Sequence, residues 1–325
     1  MECISTVVPC YNEESVLESF YNEISKVASE MKNVKFEFLF IDDGSKDETL
    51  NIIKKFKSFD SRVSYISFSK NFGKEAAIYA GLKAASGEYV VIIDADLQHP
   101  PRLIKDMYYG IAIEGYDSVA AYRKNRKGEG VLRTFFSKKF FKVASRLTHL
   151  EFRQGEEDYR MMNRKFVKSV LSIKEKNRFS KGIFQWVGFK VKWIEHENIN
   201  RIAGTSKWSI IKLFIYSLDG IMSFSTIPLI VLSISGSILI IVSLIILIGM
   251  LINKFIVGED ISNIVYITML MIFFSGIQLV SSGVLGAYLA KGYLEVKERP
   301  LYIVDEKDLI ENKDIEDNEE FKIKN

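Results

Sequence analysis

Residues 89–101 of the chain read YVVIIDADLQHPP, an apolar run that ends in two aspartates one residue apart. The apolar run predicts a buried strand, and such a strand delivers Asp94 and Asp96 to one edge of a sheet. Two carboxylates at that edge can hold a divalent cation and, through it, a nucleotide. For an isolated Asp-x-Asp tripeptide, a pair of solvated loop aspartates is the simpler interpretation, so the prediction depends on the rest of the chain.

Three further segments show an apolar strand followed by polar residues and a helical pattern. Residues 4–14 read ISTVVPCYNEE, residues 36–49 read FEFLFIDDGSKDET and residues 63–77 read VSYISFSKNFGKEAA. Strands and helices that alternate at this spacing predict a parallel sheet. Acidic residues and a glycine turn at the ends of such strands are typical of ligand-binding loops.

Together the chain carries four motifs in order: VVPCYNEE (7–14), IDDGSKDET (41–49), NFGKEAAIYAGL (71–82) and DADLQHPP (94–101). This set resembles the family 2 glycosyltransferases of the GT-A fold. The resemblance is closest to the polyprenyl-phosphate group, which contains dolichol-phosphate mannose synthase and the bactoprenol glucosyltransferases, and it extends from Ile4 to Pro300. It implies an α/β GT-A catalytic domain, Rossmann-like with a mainly parallel sheet, and an inverting sugar transfer.

The resemblance also implies a nucleotide-sugar site that depends on Mg²⁺ or Mn²⁺. A cation held through Asp96 would bridge the two phosphates of the nucleotide and offset the charge that develops on them. Asp94 would lie nearer the ribose or the metal, and Asp43 nearer the base. The expected metal ligands are Asp94, Asp96 and Gln98. The expected nucleotide-sugar residues are Pro9, Tyr11, Asn12, Glu13, Asp42, Asp43, Lys74, Asp94, Ala95, Asp96 and Gln98.

Two later segments resemble the acceptor side of the family. Residues 156–162, EEDYRMM, align Asp158 with the proposed catalytic base and Arg160 with an acceptor-facing arginine, although the flanking glutamates leave the register open. Residues 201–208, RIAGTSKW, match an Arg-x-x-Gly-x-Ser-Lys-Trp loop, in which Arg201 and Lys207 would bind phosphate. An anchor beside the membrane is the alternative for Lys207. Because a lipid phosphate is largely ionised at neutral pH, Asp158 either acts as the base or orients the acceptor.

The second half of the chain predicts a membrane hairpin. Residues 227–252 and 261–290 contain no charged residue, and each exceeds the roughly 20 apolar residues that cross a bilayer. Basic residues precede the first stretch and follow the second, so the positive-inside rule places both chain ends in the cytoplasm. The N-terminus lacks the features of a signal peptide, which agrees with a catalytic half kept in the cytoplasm.

The predicted organisation therefore has six parts. In chain order they are a cytoplasmic GT-A domain (1–207), an interfacial amphipathic helix (208–226), transmembrane helix 1 (227–252), an extracytoplasmic loop (253–260), transmembrane helix 2 (261–290) and a cytoplasmic tail (291–325). Beyond Val304 the tail is rich in charged residues, and disorder is expected there. A basic amphipathic helix at 132–147 either rests on the membrane or packs on the core, and residues 184–191 predict a turn into a strand.

Composition and motifs limit which partners and which functions are expected. A net charge of +3 on 325 residues gives no case for nucleic-acid binding. The expected partners are a nucleotide sugar, a polyprenyl phosphate such as undecaprenyl phosphate, and the lipid bilayer, with a homo-oligomer left open. A processive polysaccharide synthase is a competitor, but the chain has no Gln-x-x-Arg-Trp motif. A non-catalytic, membrane-anchored nucleotide-binding module is another. The two-span pattern favours a UDP-linked hexose such as glucose.

Overall fold

The computed structural model describes residues 1–123, 155–196 and 263–310, together with single positions between 225 and 249. These residues divide into two compact units. The first unit holds the described residues up to 196 and those from 300 to 310, and the second holds those from 225 to 299.

The first unit is built on one sheet of eight strands. The strands are β1 (Cys3–Cys10), β2 (Lys35–Asp42), β3 (Val63–Phe68), β4 (Tyr89–Ile92), β5 (Ser118–Arg123), β6 (Glu156–Asn163), β7 (Val191–His196) and β8 (Val304–Asp308). Its described helices are α1 (Leu17–Glu30), α2 (Thr49–Phe59), α3 (Lys74–Ala84), α4 (Leu103–Ala112), α5 (Arg164–Ser172) and α6 (Ser180–Trp186).

The order of the strands across the sheet is β7-β5-β6-β4-β1-β2-β3-β8. The four strands β3, β2, β1 and β4 are parallel to one another, and β5 is parallel to β7. Strand β6 is antiparallel to both of its neighbours, and β8 is antiparallel to β3. This mainly parallel, mixed sheet confirms the prediction of an α/β domain with a mainly parallel sheet.

The parallel strands are buried on both faces, which explains their continuous apolar runs. All six residues of β3 and seven of the eight in β2 are buried. Helix α3 approaches β1 closely, because a Cβ atom built at Gly81 would lie 2.2 Å from Cγ1 of Val7. Only glycine allows this approach. The contact fixes the helix whose first residue is Lys74.

Residues 184–191 correct one prediction. They were expected to form a turn into a strand, but Phe184, Gln185 and Trp186 are the end of α6. The turn comes at Gly188, which has a φ of +70°, and β7 begins at Val191. The reason is packing: Phe184 is buried, and its ring lies 6.2 Å from that of Phe166 on α5.

The chain beyond Val304 corrects a second prediction. Disorder was expected there, but Val304–Asp308 pairs with the edge strand β3 as β8. Two exposed ion pairs join β8 to α2, between Lys54 and Glu306 and between Lys57 and Asp308. Tyr302 stacks on Phe68, with ring centroids 4.7 Å apart. A charged segment becomes a strand here because the edge of β3 supplies its hydrogen-bond partners.

The second unit contains helix α7 (Asn263–Val296), of 34 residues. Among the described residues, one stretch is long and apolar enough to cross a membrane, Phe273–Val296, with a mean hydropathy of 1.4. The helix continues six residues beyond the predicted end of the second span at 290. The described positions between 227 and 249 are also helical, but too few are described there to test the first span. A two-helix hairpin therefore stays a prediction.

Several predictions lie outside the described residues, wholly or for the most part. They are the basic helix at 132–147, Arg201 and Lys207, the interfacial helix at 208–226, the loop at 253–260 and the tail from 311 to 325.

Candidate functional site

The predicted site residues meet where several strands end. Parallel strands β1, β2 and β4 have their carboxyl ends at the same edge of the sheet, and β6 begins there because it runs antiparallel to β4. Ile92 on β4 lies opposite Arg160 on β6. Asp158, two residues earlier on β6, therefore comes beside Asp94, two residues beyond Ile92. We call this the polar edge of the sheet.

Three side chains at the polar edge form a charged group, which we call the open cluster: Lys74, Asp94 and Asp158. The Nζ atom of Lys74 lies 2.7 Å from Oδ1 of Asp94 and 2.9 Å from Oδ2 of Asp158. The exposed fractions of the three side chains are 41%, 28% and 19% in that order. The open cluster thus joins residues of three elements and stays accessible to a ligand.

The ionised form of each partner is favoured within the open cluster. Burial disfavours the charge on Asp158, but the ammonium groups of Lys74 and Lys181 outweigh it and hold its pKa well below the usual range. Desolvation likewise disfavours the charge on Lys74, yet Asp158 and Asp94 raise its pKa above the usual value. A carboxylate with such a low pKa is a weak proton acceptor, so Asp158 is better suited to orienting a ligand than to removing a proton.

Asp96 and Gln98 occupy the turn that follows Asp94. Oδ1 of Asp96 accepts a hydrogen bond of 3.1 Å from the backbone N–H of Gln98, and Leu97 between them has a φ of +58°. Oε1 of Gln98 lies 3.4 Å from Nη2 of Arg123, at the end of β5. The turn therefore presents oxygen atoms from three side chains, those of Asp94, Asp96 and Gln98.

These oxygen atoms fit a hard divalent cation. Within residues 1–123 and 155–196 and the other described positions, no three His, Cys, Asp or Glu side chains are grouped closely enough to hold a metal by themselves. Mg²⁺ and related ions in nucleotide sites need fewer, because one or two carboxylates suffice when substrate phosphates and waters complete the coordination. Asp94 and Asp96 with Gln98 meet that requirement in donor chemistry.

A second group of contacts lies on the opposite face of β6. It consists of Glu157, His99, His196 and Arg123, and we call it the Glu157 network. Oε2 of Glu157 lies 2.6 Å from Nε2 of His196 and 3.3 Å from Nε2 of His99, and Oε1 contacts Arg123. Burial disfavours its charge, but the hydrogen bonds from the histidines and the charge of Arg123 hold its pKa well below the usual range. The exposed fractions of Glu157, His99 and His196 are only 9%, 4% and 4%.

His99 links the Glu157 network to the turn of the two aspartates. Its Nδ1 atom accepts a hydrogen bond of 3.4 Å from the backbone N–H of Asp94, which leaves the proton of a neutral ring on Nε2, facing Glu157. The ring stacks on Tyr159, whose hydroxyl donates to the carbonyl of Pro100 at 2.9 Å. His99, Glu157 and Tyr159 were given no role from the sequence, although His99 stands next to Gln98 in the motif.

The expected nucleotide side is formed by the turns after β1 and β2. The backbone N–H of Asn12 donates to Oγ of Ser45 at 3.0 Å, and Oδ1 of Asn12 accepts from the N–H of Lys46 at 2.9 Å. The N–H of Glu13 donates to Oγ1 of Thr49 at 2.8 Å. Pro9 and Tyr11, at the end of β1, are half-buried. The two turns are thereby held together as one surface.

Asp42 and Asp43, two of the predicted nucleotide-sugar residues, are almost completely buried and accept hydrogen bonds from neighbouring residues. Asp42 accepts hydrogen bonds from Oγ of Ser67 and from the N–H of Ser45. Asp43 accepts from the side chain of Asn71 and from the N–H groups of Phe72 and Gly73, at 2.6 to 2.9 Å for the shortest contact of each. Burial raises its pKa, against the lowering effect of the backbone donors. Asp43 therefore orders the loop that leads to Lys74.

Arg160 is not brought to the accessible part of the polar edge. It is fully buried, its Nη2 atom donates to Oε1 of Glu156 at 2.9 Å, and its guanidinium carbon lies 4.1 Å from the ring centroid of Phe184. Ala95 is also buried, with 2% of its surface exposed. The geometry gives Arg160 a supporting position behind Asp158, on the same face of β6.

Glu75 and Lys181 are two further charged residues at the polar edge. Oε2 of Glu75 accepts a hydrogen bond of 3.0 Å from the N–H of Ser180 and a second from its hydroxyl. Burial and the charge of Asp158 raise the pKa of Glu75 to about 7. Lys181 donates to the backbone carbonyl of Glu156 at 2.9 Å. Neither residue was given a role from the sequence, because their contacts join residues 105 and 25 positions apart.

The chain matches known relatives along nearly its whole length. CsbB of Bacillus subtilis is 40% identical over 321 residues, which cover 98% of this chain and 96% of the relative. A prophage-derived bactoprenol glucosyl transferase of Shigella flexneri is 37% identical over 305 residues, 93% of this chain and 97% of the relative. The prophage bactoprenol glucosyl transferase homolog of Escherichia coli is 36% identical, with 93% and 98% covered.

Solved structures are more distant. Glucosyl-3-phosphoglycerate synthase from Mycobacterium tuberculosis, in complex with Mn²⁺, UDP-glucose and phosphoglyceric acid, is 21% identical with a TM-score of 0.44, and the match covers 68% of this chain and 78% of that one. This likeness carries no argument about the site. The profile described as Glycosyl transferase family 2 matches residues 5–171, slightly more than half of the chain. With these matches and the polar edge of its mainly parallel sheet, the chain belongs to glycosyl transferase family 2.

Proposed function

We propose that this glycosyltransferase moves a sugar from a nucleotide sugar, with UDP as the nucleotide and glucose or a related hexose as the sugar, to a polyprenyl phosphate. The observation that carries the proposal is the open cluster of Lys74, Asp94 and Asp158, where donor-side and acceptor-side motifs meet within 3 Å. The names of the bactoprenol relatives, which match 93% of the chain, support a lipid acceptor such as undecaprenyl phosphate.

On the donor side, the turns after β1 and β2 would receive the nucleoside, with Pro9, Tyr11, Asn12 and Glu13 as the contact surface. Asp94, Asp96 and Gln98 would hold Mg²⁺ or Mn²⁺. That cation, when bound, would neutralise the charge that develops on the diphosphate leaving group. Lys74 would add a fixed positive charge beside the same phosphates, because it is the first residue of α3 and is anchored by two carboxylates.

On the acceptor side, Asp158 would orient the lipid phosphate and the ammonium of Lys74 would attract it. Its lowered pKa argues against a strong base, and an ionised phosphate oxygen needs none to attack the sugar. The attack would displace the nucleoside diphosphate in one step, which inverts the anomeric centre as in other family 2 enzymes. Arg201 and Lys207 are proposed to bind the same lipid phosphate, and Arg160 to support Asp158.

The reaction would take place at the cytoplasmic face of the inner membrane. Support comes from the apolar stretch Phe273–Val296 and from the lipid named in the relatives. The charge bias of the sequence favours a hairpin with the catalytic unit and both chain ends in the cytoplasm. A cysteine introduced at Gly258 should then react with an impermeant thiol reagent added to intact cells, and one at Ser45 should not. Labelling at position 45 from outside would contradict this topology.

A screen of labelled UDP- and GDP-sugars against undecaprenyl phosphate tests the proposed function. The full chain in detergent should form one lipid-linked sugar, with Mg²⁺ or Mn²⁺ present and not with EDTA. Asp94→Asn should lower the yield of product strongly, whereas the matched variant Asp117→Asn, far from the polar edge and just before β5, should leave it unchanged. Long polysaccharide without lipid-linked monosaccharide would indicate a processive synthase. Donor binding without any transfer would indicate a non-catalytic module.

A further inference from the structure

Lys181 is a second lysine beside Asp158. It is the second residue of α6, it is only partly buried, and its Nζ atom lies 2.9 Å from the backbone oxygen of Glu156 on β6. Its ammonium, that of Lys74 and the guanidinium of Arg160 all stabilise the ionised carboxyl of Asp158. Two of these three cations are lysines of different helices, α3 and α6.

The position of Lys181 is fixed by its neighbour. Ser180 donates from its backbone N–H and from its hydroxyl to the same oxygen of Glu75, and Glu75 directly follows Lys74 on α3. The two lysines thus belong to two consecutive pairs, Lys74-Glu75 and Ser180-Lys181, whose inner members are bonded to each other. This link holds the first turn of α6 beside the first turn of α3, which places the backbone of both lysines at the polar edge.

Lys74 and Lys181 differ in how many of their hydrogen-bond donors are used within the protein. Lys74 is shared between the carboxylates of Asp94 and Asp158. An ammonium group has three N–H donors, and among the described contacts Lys181 uses one, for the carbonyl of Glu156. A lysine that is partly exposed, fixed in place and supplied with free donors is suited to bind a phosphate oxygen.

We propose that Lys181 is a further phosphate-binding residue of this site, in contact with the diphosphate of the donor or the phosphate of the lipid acceptor. The inference rests on the proposed function and extends it to a residue that the sequence motifs do not mark. The alternative is a structural role, in which the side chain only satisfies the carbonyl of Glu156. The two roles differ in whether the charge matters.

Three variants of the full chain in detergent separate these roles. Lys181→Gln keeps an amide donor for the carbonyl of Glu156 but removes the charge, Lys181→Arg keeps the charge, and Lys83→Gln removes an exposed lysine at the last turn of α3. Calorimetry gives the dissociation constant of UDP with Mg²⁺, and initial rates give the KM for undecaprenyl phosphate. The first constant reports on the donor diphosphate and the second on the lipid phosphate.

We expect Lys181→Gln to raise one of these constants about tenfold or more, as loss of a hydrogen bond to a charged group does. Lys181→Arg should stay within a few-fold of the wild type, and Lys83→Gln should match it. The proposal is wrong if Lys181→Gln has both the wild-type dissociation constant for UDP and the wild-type KM for undecaprenyl phosphate. A wild-type chain that binds UDP but never uses the lipid would contradict the proposed acceptor, while the UDP arm would still decide the role of Lys181.

A second measurement needs no variant. Acetylation of the wild-type lysines by acetic anhydride, followed by mass spectrometry, should show protection of Lys181 by UDP with Mg²⁺ or by undecaprenyl phosphate. Lys83 serves as the internal control and should react equally in all samples. Equal acetylation of Lys181 with and without both ligands would overturn the proposal, even if Lys181→Gln failed to fold.

Discussion

The open cluster and the Glu157 network lie on opposite faces of the same short strand. Both contain a carboxylate of β6 whose pKa is held well below the usual range by neighbouring cations or hydrogen-bond donors. They differ in access, because Lys74 is 41% exposed and Asp158 19%, whereas His99 and His196 are each 4% exposed. Adjacent residues of a strand point to opposite faces, so Glu157 and Asp158 can serve different purposes one residue apart.

Two ionised carboxylates at the same edge of the sheet therefore need not share a role. A charge that a ligand can reach is available for binding and for chemistry. A charge that is enclosed by His99, His196 and Arg123 instead fixes the turn that carries the two aspartates, through the hydrogen bond between His99 and the N–H of Asp94. Substitutions in the open cluster should therefore act on catalysis, and substitutions in the Glu157 network should act on stability first.

The largest effect is expected for Asp96→Asn. Loss of one carboxylate charge at a site that offsets diphosphate charge should lower the transfer rate by about 10²–10³-fold. The melting temperature should not change, because the retained side-chain oxygen still accepts from the N–H of Gln98. Rates of lipid-linked sugar formation and thermal unfolding in detergent measure the two quantities. A normal rate in the presence of EDTA would contradict the metal ligands.

Glu157→Gln should lower stability and leave most of the transfer rate. Removing one partner of a buried charged group costs about 3–5 kcal/mol, so a clear drop in melting temperature is expected. The matched control is Glu30→Gln, which breaks an exposed pair with Lys105 and should leave the melting temperature close to that of the wild type. Equal melting temperatures for the two variants would contradict a closed, supporting network.

A third prediction concerns pH and Glu75, which faces Asp158, Lys74, Arg178 and Ser180. Its pKa rises from 4.5 to about 7 on folding, so between these values the folded chain keeps a proton that the unfolded chain has lost. The contribution of this group to the free energy of unfolding therefore falls as pH rises through that window and levels off above it. Glu75→Gln should remove this dependence. The melting temperature of the variant relative to wild type should be higher at pH 8 than at pH 5, and a constant difference would contradict the raised pKa.

The smallest effect is expected for Tyr159→Phe. The variant keeps the ring that stacks on His99 but loses the hydroxyl that donates to the carbonyl of Pro100. A hydrogen bond of this kind contributes about 0.5–1.5 kcal/mol. Chemical denaturation should show a loss of this size, with a small change in the transfer rate. A loss of transfer rate as large as that expected for Asp96→Asn would contradict a supporting role and would indicate that Tyr159 acts in the reaction itself.

The sequence predicted the parts of the fold that depend on local patterns. The buried parallel strands appear as apolar runs, such as the run from Val63 to Phe68 that forms β3. Strand β8 was missed because the charged run from Val304 to Asp308 becomes a strand only through pairing with the edge of β3. Helix α6 was misjudged because burial of Phe184 against α5 is a long-range contact.

The candidate site was likewise predictable only where it depends on motifs at strand ends. Motif residues at strand ends, such as Asp94 and Asp158, come together because parallel strands end at one edge and β6 runs back beside β4. The Glu157 network and the pair of Glu75 and Ser180 could not be predicted, because their side-chain contacts join residues 34 to 105 positions apart. Before folding, only the spacing of motifs along the chain is visible, and these contacts have no fixed spacing.

The most direct test of the central claim compares two neighbouring residues in one assay. Formation of labelled lipid-linked sugar from a UDP-sugar and undecaprenyl phosphate is measured per folded molecule for the wild type, Asp158→Asn and Glu157→Gln. We predict that Asp158→Asn loses at least about 100-fold in rate per folded molecule, while Glu157→Gln keeps most of its rate and acts mainly by lowering stability. A wild-type rate for Asp158→Asn would contradict the assignment of the open cluster as the reacting site.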